Sequence, residues 1–299
     1  MTTAKATACV LGAGVLWGCI SLFVRALDAA GLSSMEISDV RMVVGAFGML
    51  VVLLVVDPSM LRIRLRDLWL FFGTGVVSVT LFNVCYFTCI SLSEASIAVV
   101  LLYTSPIFVV LMSALFFRER ITRRKVVAVC LTFIGCVLVA GILGGQVVLP
   151  PMALAAGVAS GFFYATYSIF GRKALERYDT LTITFCTFLM GMIASTLLGD
   201  PAHTIATALA DPPLFLWYLG LGLFCTIMPY LLYTTGLKHL ETSRAAILAT
   251  IEPVVGSLLG IFVYGESTGV LKLTGMALIL AAVVLVNLPA KDTHVSETR

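Results

Sequence analysis

Charge is what this chain of 299 residues has least of. Lys, Arg, Asp and Glu make up 12% of it, against about 25% in an ordinary soluble domain. With 60% hydrophobic residues and a mean hydropathy of +1.07, a soluble globular fold is excluded. Histidine is nearly missing too. His203, His239 and His294 fall in segments that read as loops or tail, so no histidine relay or zinc site is available at membrane depth. No HExxH and no pair of intramembrane aspartates occurs, and no serine has a histidine at depth, which argues against a membrane enzyme. The eight cysteines form no CxxC pair and sit inside apolar runs, as small core residues do. Nothing implies a cofactor, a metal or a nucleic-acid partner.

What is present is apolar sequence in long runs. They fall at about 8 to 27, 35 to 56, 68 to 91, 96 to 117, 124 to 143, 151 to 171, 181 to 199, 213 to 236, 244 to 264 and 268 to 288. A spanning helix needs about 20 mostly apolar residues, whereas barrel strands would alternate in short segments. The runs therefore predict an all-α integral membrane protein of ten transmembrane helices. Lys5 before the first run resembles the start of a signal peptide, but no A-x-A site follows. Trp17 also spoils the lipoprotein pattern at Leu16 to Cys19. The first run reads as an uncleaved span.

The chain also repeats itself. Displaced by 147 positions, Tyr86 to Val139 lies on Tyr233 to Val286 without a gap, with fourteen of 54 positions identical. Composition alone would match roughly one position in ten. The polar identities are more telling: Tyr86 on Tyr233, Thr88 on Thr235, Glu94 on Glu241, Ser96 on Ser243, Pro106 on Pro253, Glu119 on Glu266 and Lys125 on Lys272. Two repeats follow, residues 1–147 and 148–299, joined through Gly144, Gly145, Gln146, Pro150 and Pro151.

Ten spans put both termini on one side, and the cations choose it. With the N-terminus inside, sixteen Lys and Arg collect on inner segments, while Arg25, Arg41 and Lys272 fall toward the outside. The positive-inside rule then makes both termini cytoplasmic. Each repeat has an odd number of spans, so the two must be inverted relative to one another. That is a transporter architecture, with the binding site near the midplane.

Several constellations fit such a site. Gly14, Trp17, Gly18, Ser21 and Arg25 answer at the same offset to Gly161, Tyr164, Ala165, Ser168 and Arg172, each set on one helical face. A close-packing seam and a cavity wall both suit small residues, but Trp17 and Tyr164 favour the cavity. Asn83 and Tyr86 correspond to Tyr230 and Tyr233, whose polar tips need partners or water. Pro106, Pro253 and Pro229 would each break a span, the first two freeing the carbonyls of Leu102 and Ala249. Glu252, eight residues or about 12 Å beyond Arg244, sits near mid-membrane, where a carboxyl is a functional hypothesis by default. It could bind a proton or a substrate ammonium, or be a protonated structural group. Arg41 is expected to snorkel outward and pair with Asp39 or Glu36, too far in depth for a bridge to Glu252.

Trp17-Gly18, then Tyr103 to Pro106 followed by Phe117-Arg118-Glu119-Arg120-Ile121-Thr122, with a second copy at Pro253 and Tyr264-Gly265-Glu266, resembles the drug/metabolite transporter superfamily in its EamA-type branch. Length and aromatic-rich spans are similar to the exporters of aromatic amino acids. The resemblance implies ten helices around a central cavity lined by spans 1, 3, 4, 6, 8 and 9, and alternating access by rocking of the halves. Two departures bear on coupling: Arg41 answers to Phe188, and Ser105 stands where the second half has Glu252.

The expectation is a secondary transporter exporting small amphipathic metabolites, amino acids including aromatic ones first, from a bacterial inner membrane. Trp17, Phe82, Tyr86, Tyr103, Tyr164 and Tyr230 would stack on the solute, Ser21, Asn83 and Ser168 would hold its polar groups, and Glu252 would take an ammonium or a proton. Its partners would be a small molecule, the lipid bilayer and, where transport is coupled, protons. Another drug, nucleoside or metabolite substrate, and a non-transporting receptor or subunit, remain the alternatives.

Overall fold

Backbone groups in lipid find no water, so each apolar run must satisfy its own hydrogen bonds as helix. The computed structural model describes residues 1–142, 149–266 and 269–288, and among them every regular element is helical. The helices are α1 (Thr3–Ala29), α2 (Ser34–Val56), α3 (Leu65–Leu92), α4 (Ala95–Phe117) and α5 (Arg123–Val139). In the second half they are α6 (Pro151–Ala174), α7 (Thr180–Thr196), α8 (Pro212–Leu237), α9 (Thr242–Tyr264) and α10 (Val270–Asn287). Local chemistry sets several starts. Ser33 and Glu36 make a reciprocal capping box on α2, Thr122 caps α5, and proline opens α6 and α8. The link Gly144 to Gln146, the boundary between 147 and 148, and the tail with Lys291, His294 and Arg299 lie outside the described residues.

Among the described residues, eight helices are long and apolar enough to cross a membrane, where the sequence predicted ten. The two that fall short, α5 and α7, have 17 residues each, about 26 Å at 1.5 Å per residue against a hydrocarbon core of about 30 Å. A short helix, Pro201–Ala210, follows α7 at 99°, and counting that pair as one bent span gives nine. His203 thus lies on a helix and not in a loop. Asp200, accepting from the His203 N–H at 3.0 Å, and Pro201 in the first turn start that helix.

The helices pack across the two halves rather than within them. α1 lies against α8 and α9, and α6 against α3 and α4, which are the same partners displaced by one repeat. Repeat-related helices also pair side by side and antiparallel. In α2 and α7, Asp39 receives the hydroxyls of Ser195 and Thr196 at 2.7 and 2.9 Å, while near the other end Thr182 donates to Met60 O at 3.0 Å. In α5 and α10, Arg124 reaches Leu288 O at 3.2 Å, and Gly135 and Gly275 meet backbone to backbone. The largest buried apolar cluster joins α1, α6, α8, α9 and α10, including Val10, Tyr233, Leu237 and Leu248.

Candidate functional site: a cavity between the halves

Four irregularities in the helices, two breaks and two widened segments, build the site. α4 breaks at Tyr103 and Thr104 just before Ser105–Pro106, and α9 breaks at Thr250 and Ile251 just before Glu252–Pro253. A proline cannot donate to the residue four back, so each helix restarts with its proline in the new first turn. α3 and α8 widen into π-helix at Gly73–Leu81 and Leu223–Ile227, which overlap when displaced by the repeat. Threonines support the wide turns, Thr80 donating five residues back to Gly75 O at 3.3 Å and Thr226 to Leu221 O at 3.1 Å. Pro229 begins the α-helix after the second wide segment. Such π segments recur at functional sites because they turn side chains that a regular helix would place elsewhere.

Glycine lets the opposite half close on these breaks. A Cβ at Gly14 would stand 2.9 Å from Ala249 O, and one at Gly161 would stand 3.1 Å from Leu102 O. These are repeat-related glycines on repeat-related carbonyls, so the oxygens freed by proline are packed against helix backbone of the other half.

The cavity enclosed in this way has two adjoining chambers, of about 100 Å³ and about 430 Å³. Trp17, Phe82, Asn83, Tyr103 and Glu252 face both, Tyr164, Ser168 and Tyr230 the smaller, and Ser21 and Tyr86 the larger. The structure thus brings all ten expected binding residues to one place. The aromatic wall is made by edge contacts. Tyr230 meets Trp17 at 5.5 Å, Tyr167 at 5.1 Å and Phe188 at 5.1 Å, and Phe82 meets Tyr164 at 5.3 Å. Polar tips are partly paired: Asn83 donates to Ser38 Oγ at 2.6 Å, and the Ser168 and Tyr233 hydroxyls lie 2.7 Å apart. Among the described residues Ser21 Oγ is buried without a partner, and the half-buried Glu252 carboxyl faces the Tyr103 hydroxyl. A ring-lined cavity with few, spaced polar groups suits a small amphipathic molecule.

Relatives agree with the architecture. The EamA-like transporter family matches the chain twice, at residues 4–141 and 151–288, the same offset of 147 found within the sequence. The chain belongs to the EamA-like transporter family. An uncharacterized transporter of Archaeoglobus fulgidus is 30% identical over 283 residues, 93% of this chain and 94% of that protein. A second from the same organism is 29% identical over 230 residues, 75% and 79% of the two chains. A solved crystal structure with 18% identity superposes at a TM-score of 0.78, covering 96% of this chain and 97% of that one, and supports the fold alone. The chain is accordingly a multi-pass membrane protein of a transporter family.

Arg41 does not snorkel outward to Asp39 or Glu36. It lines both chambers and donates through Nε to Thr226 at 3.2 Å. Asp39 is engaged by Ser195 and Thr196, and Glu36 by Ser33 and by His203 at 2.5 Å. The π segment of α8 presents Thr226 to Arg41 and holds it inward. Arg41 and Glu252 share the cavity and feel each other's charge, but among the described residues no contact within 4.0 Å pairs them. Sequence reasoning also left out Tyr167, Ser78 and Thr250, which line the smaller chamber. The repeat could have flagged Tyr167 only weakly, since its mate is Ile20.

The helix ends above and below the cavity differ. At the first, Glu119 Oε1 accepts the Thr242 N–H at 2.6 Å, and Oε2 accepts the Ser243 N–H at 3.2 Å and the Ser243 hydroxyl. Burial would raise this carboxyl's pKa, but the hydroxyl, the two amides and Lys125 outweigh it and hold it below the usual range. At the other end Glu266 is also held low, by hydrogen bonds from Arg25 and then Lys272, at 2.7 and 3.1 Å.

Proposed function

We propose that this chain is a secondary transporter that exports small amphipathic metabolites, amino acids including aromatic ones first, by alternating access. The observation that carries the substrate class is the cavity itself, where a ring-lined wall meets one carboxylate and one guanidinium that do not pair. An amino-acid zwitterion would complete both, its ammonium on Glu252 and its carboxylate on the free end of the Arg41 fork, with its side chain among Trp17, Tyr164 and Tyr230. Each contact is modest, as release requires.

Ten spans, two inverted five-helix repeats and cytoplasmic termini belong to the same reading. The antiparallel pairing of α2 with α7 and of α5 with α10 supports the inversion, and the distribution of Lys and Arg supports the orientation. α5 and α7 would cross a thinned or locally adapted bilayer, an adjustment that costs fractions of a kcal/mol per Å. The location is a bacterial inner membrane, and no enzymatic step is required of any residue.

The test is flux in liposomes. Purified protein should take up labelled phenylalanine and tryptophan saturably, beside alanine, a nucleoside and a cationic dye, with and without a proton gradient. Glu252→Gln should abolish any gradient dependence if that carboxyl carries the proton, and should raise KM for amino acids if it holds the ammonium. Flux of the nucleoside or dye alone would replace the amino-acid reading with another metabolite. No flux of any solute by folded protein would leave a receptor or subunit role.

A further inference from the structure

The charged and serine identities that reveal the repeat are not in the cavity. Glu94 and Glu241, Ser96 and Ser243, Glu119 and Glu266, Lys125 and Lys272 all lie at helix ends, as do Arg25 and Arg172. At one end of the molecule they form a clamp around the turn between α8 and α9. Arg172 donates to Leu237 O at 2.5 Å and to Leu240 O at 3.3 Å, gripping the carbonyl end of α8. Glu119 grips the amide end of α9 through Thr242 and Ser243. Lys125 completes it, 2.8 Å from Glu241 and 3.4 Å from Glu119. Each charge sits where the helix dipole and the unpaired end groups favour it, cation on carbonyls and anion on amides.

At the other end the same parts are present but hold one another. The equivalent turn, between α3 and α4, offers the carbonyls of Ile90 and Ser93 and the amides of Ala95 and Ser96. Among the described residues neither Arg25 nor Glu266 hydrogen-bonds to it. Arg25 pairs with Glu266 at 2.7 Å and stacks 3.9 Å over the Tyr264 ring, and Glu266 is taken up by Arg25 and Lys272. Burial follows the same division: Thr242 and Ser243 are 0% and 1% exposed, whereas Ala95 is exposed and Ser96 half-buried. The backbone delivers both glutamates alike. Arg118 and Gly265 take left-handed φ of 56° and 66°, and the next N–H folds back to Ser113 O and Gly260 O at 3.3 and 3.0 Å.

We propose that these residues are an exchangeable clamp, closed at one end of the cavity at a time. In the opposite state Arg25 holds the Ile90 and Ser93 carbonyls, Glu266 caps Ala95 and Ser96, and Lys272 meets Glu94, while Arg172 and Glu119 fall back on each other. No contact type is lost in the exchange, so the two states remain close in free energy, and the cavity opens at the end whose clamp is undone. The proposal rests on the alternating-access reading and names the groups that define its two states.

Two repeat-related cysteines test it, Ala95→Cys and Thr242→Cys, each placed singly where the eight native cysteines are replaced, and labelled in proteoliposomes with a polar maleimide on both faces. The protein as described should label at position 95 at least tenfold faster than at 242. Glu119→Gln should raise the rate at 242 and lower the rate at 95 together, and Ser243→Ala, a milder change, should do the same to a smaller extent. A rise at 242 with no change at 95 means local fraying and overturns the exchange. Phenylalanine added at saturating concentration separates the two readings. If it moves the rates in opposite directions while Glu119→Gln and Ser243→Ala do not, alternating access stands and the clamp falls. If the glutamine variant exchanges the rates and phenylalanine leaves them unchanged, the clamp stands and the amino-acid substrate falls.

Discussion

Gly14 and Gly161 show how much a single atom matters at this site. Each lies where a helix of one half crosses a proline-freed carbonyl of the other, and a Cβ at Gly14 would also stand 2.6 Å from Ile251 Cγ2. Overpacking of this kind costs about 1–3 kcal/mol. Gly14→Leu should therefore lower the thermal unfolding midpoint in detergent, while Gly12→Leu, with only the Leu232 side-chain tip at 3.5 Å, should change it far less. Equal midpoints would mean the crossing is loose. Arg41 offers a second test at this scale. Arg41→Lys keeps the charge but loses the fork, so KM for phenylalanine should rise about tenfold, near 1.4 kcal/mol, with flux of phenethylamine unaffected. If both solutes respond alike, Arg41 does not hold the carboxylate.

Among elements, the broken helices α4 and α9 bring the carboxyl and the phenol that face each other to the site. Their interruptions at Tyr103–Thr104 and Thr250–Ile251 let Tyr103 and Glu252 face the cavity, and no break of this kind occurs in α6, which packs on α4. Pro106→Ala or Pro253→Ala restores the missing N–H and allows the helix to close over the break. Maximal flux should fall roughly tenfold, about 1.4 kcal/mol on the limiting step, while the unfolding midpoint stays level or rises. A matching loss of stability would make these prolines structural supports rather than hinges. The π segments of α3 and α8 were not legible in advance. Their threonines read as ordinary apolar-helix hydroxyls until the bonds to residues five back are seen, and it is this widening that turned Arg41 inward against expectation.

For the whole molecule, the two ends respond to pH through their glutamates. A carboxyl whose folded pKa lies below its unfolded value contributes stability that is full above the unfolded value and is lost as pH falls through the folded one. Glu119 is such a group and its partners belong to both halves, so closure at its end should hold at neutral pH and give way only in acid, below the ordinary glutamate range. Labelling of Thr242→Cys should accelerate there, and Glu119→Gln should flatten that profile. Glu266 is held low as well, but by Arg25 in an ion pair whose side chains are 51% and 38% exposed, and such pairs contribute little. Its loss in acid should leave the open end almost unchanged. A profile at position 242 that survives Glu119→Gln would move the pH sensor elsewhere.

The sequence by itself determined the membrane class, the positions of the helices to within a few residues, the repeat and its offset, and the ten residues that gather at the cavity. Apolar run length and identity at a fixed displacement are properties of the linear chain and need no partner to be read. Tertiary structure alone decided which way Arg41 points, that α5 and α7 are shorter than a full span, that residues 201–210 form a helix, and that repeat-related charges are paired differently at the two ends. The direction of Arg41 and the pairing of the charges depend on neighbours distant in the chain: Thr226 for Arg41, the Thr242 and Ser243 amides for Glu119, Glu266 for Arg25. The repeat gives both ends the same charged parts, Glu119 and Glu266, Lys125 and Lys272, and packing pairs them differently.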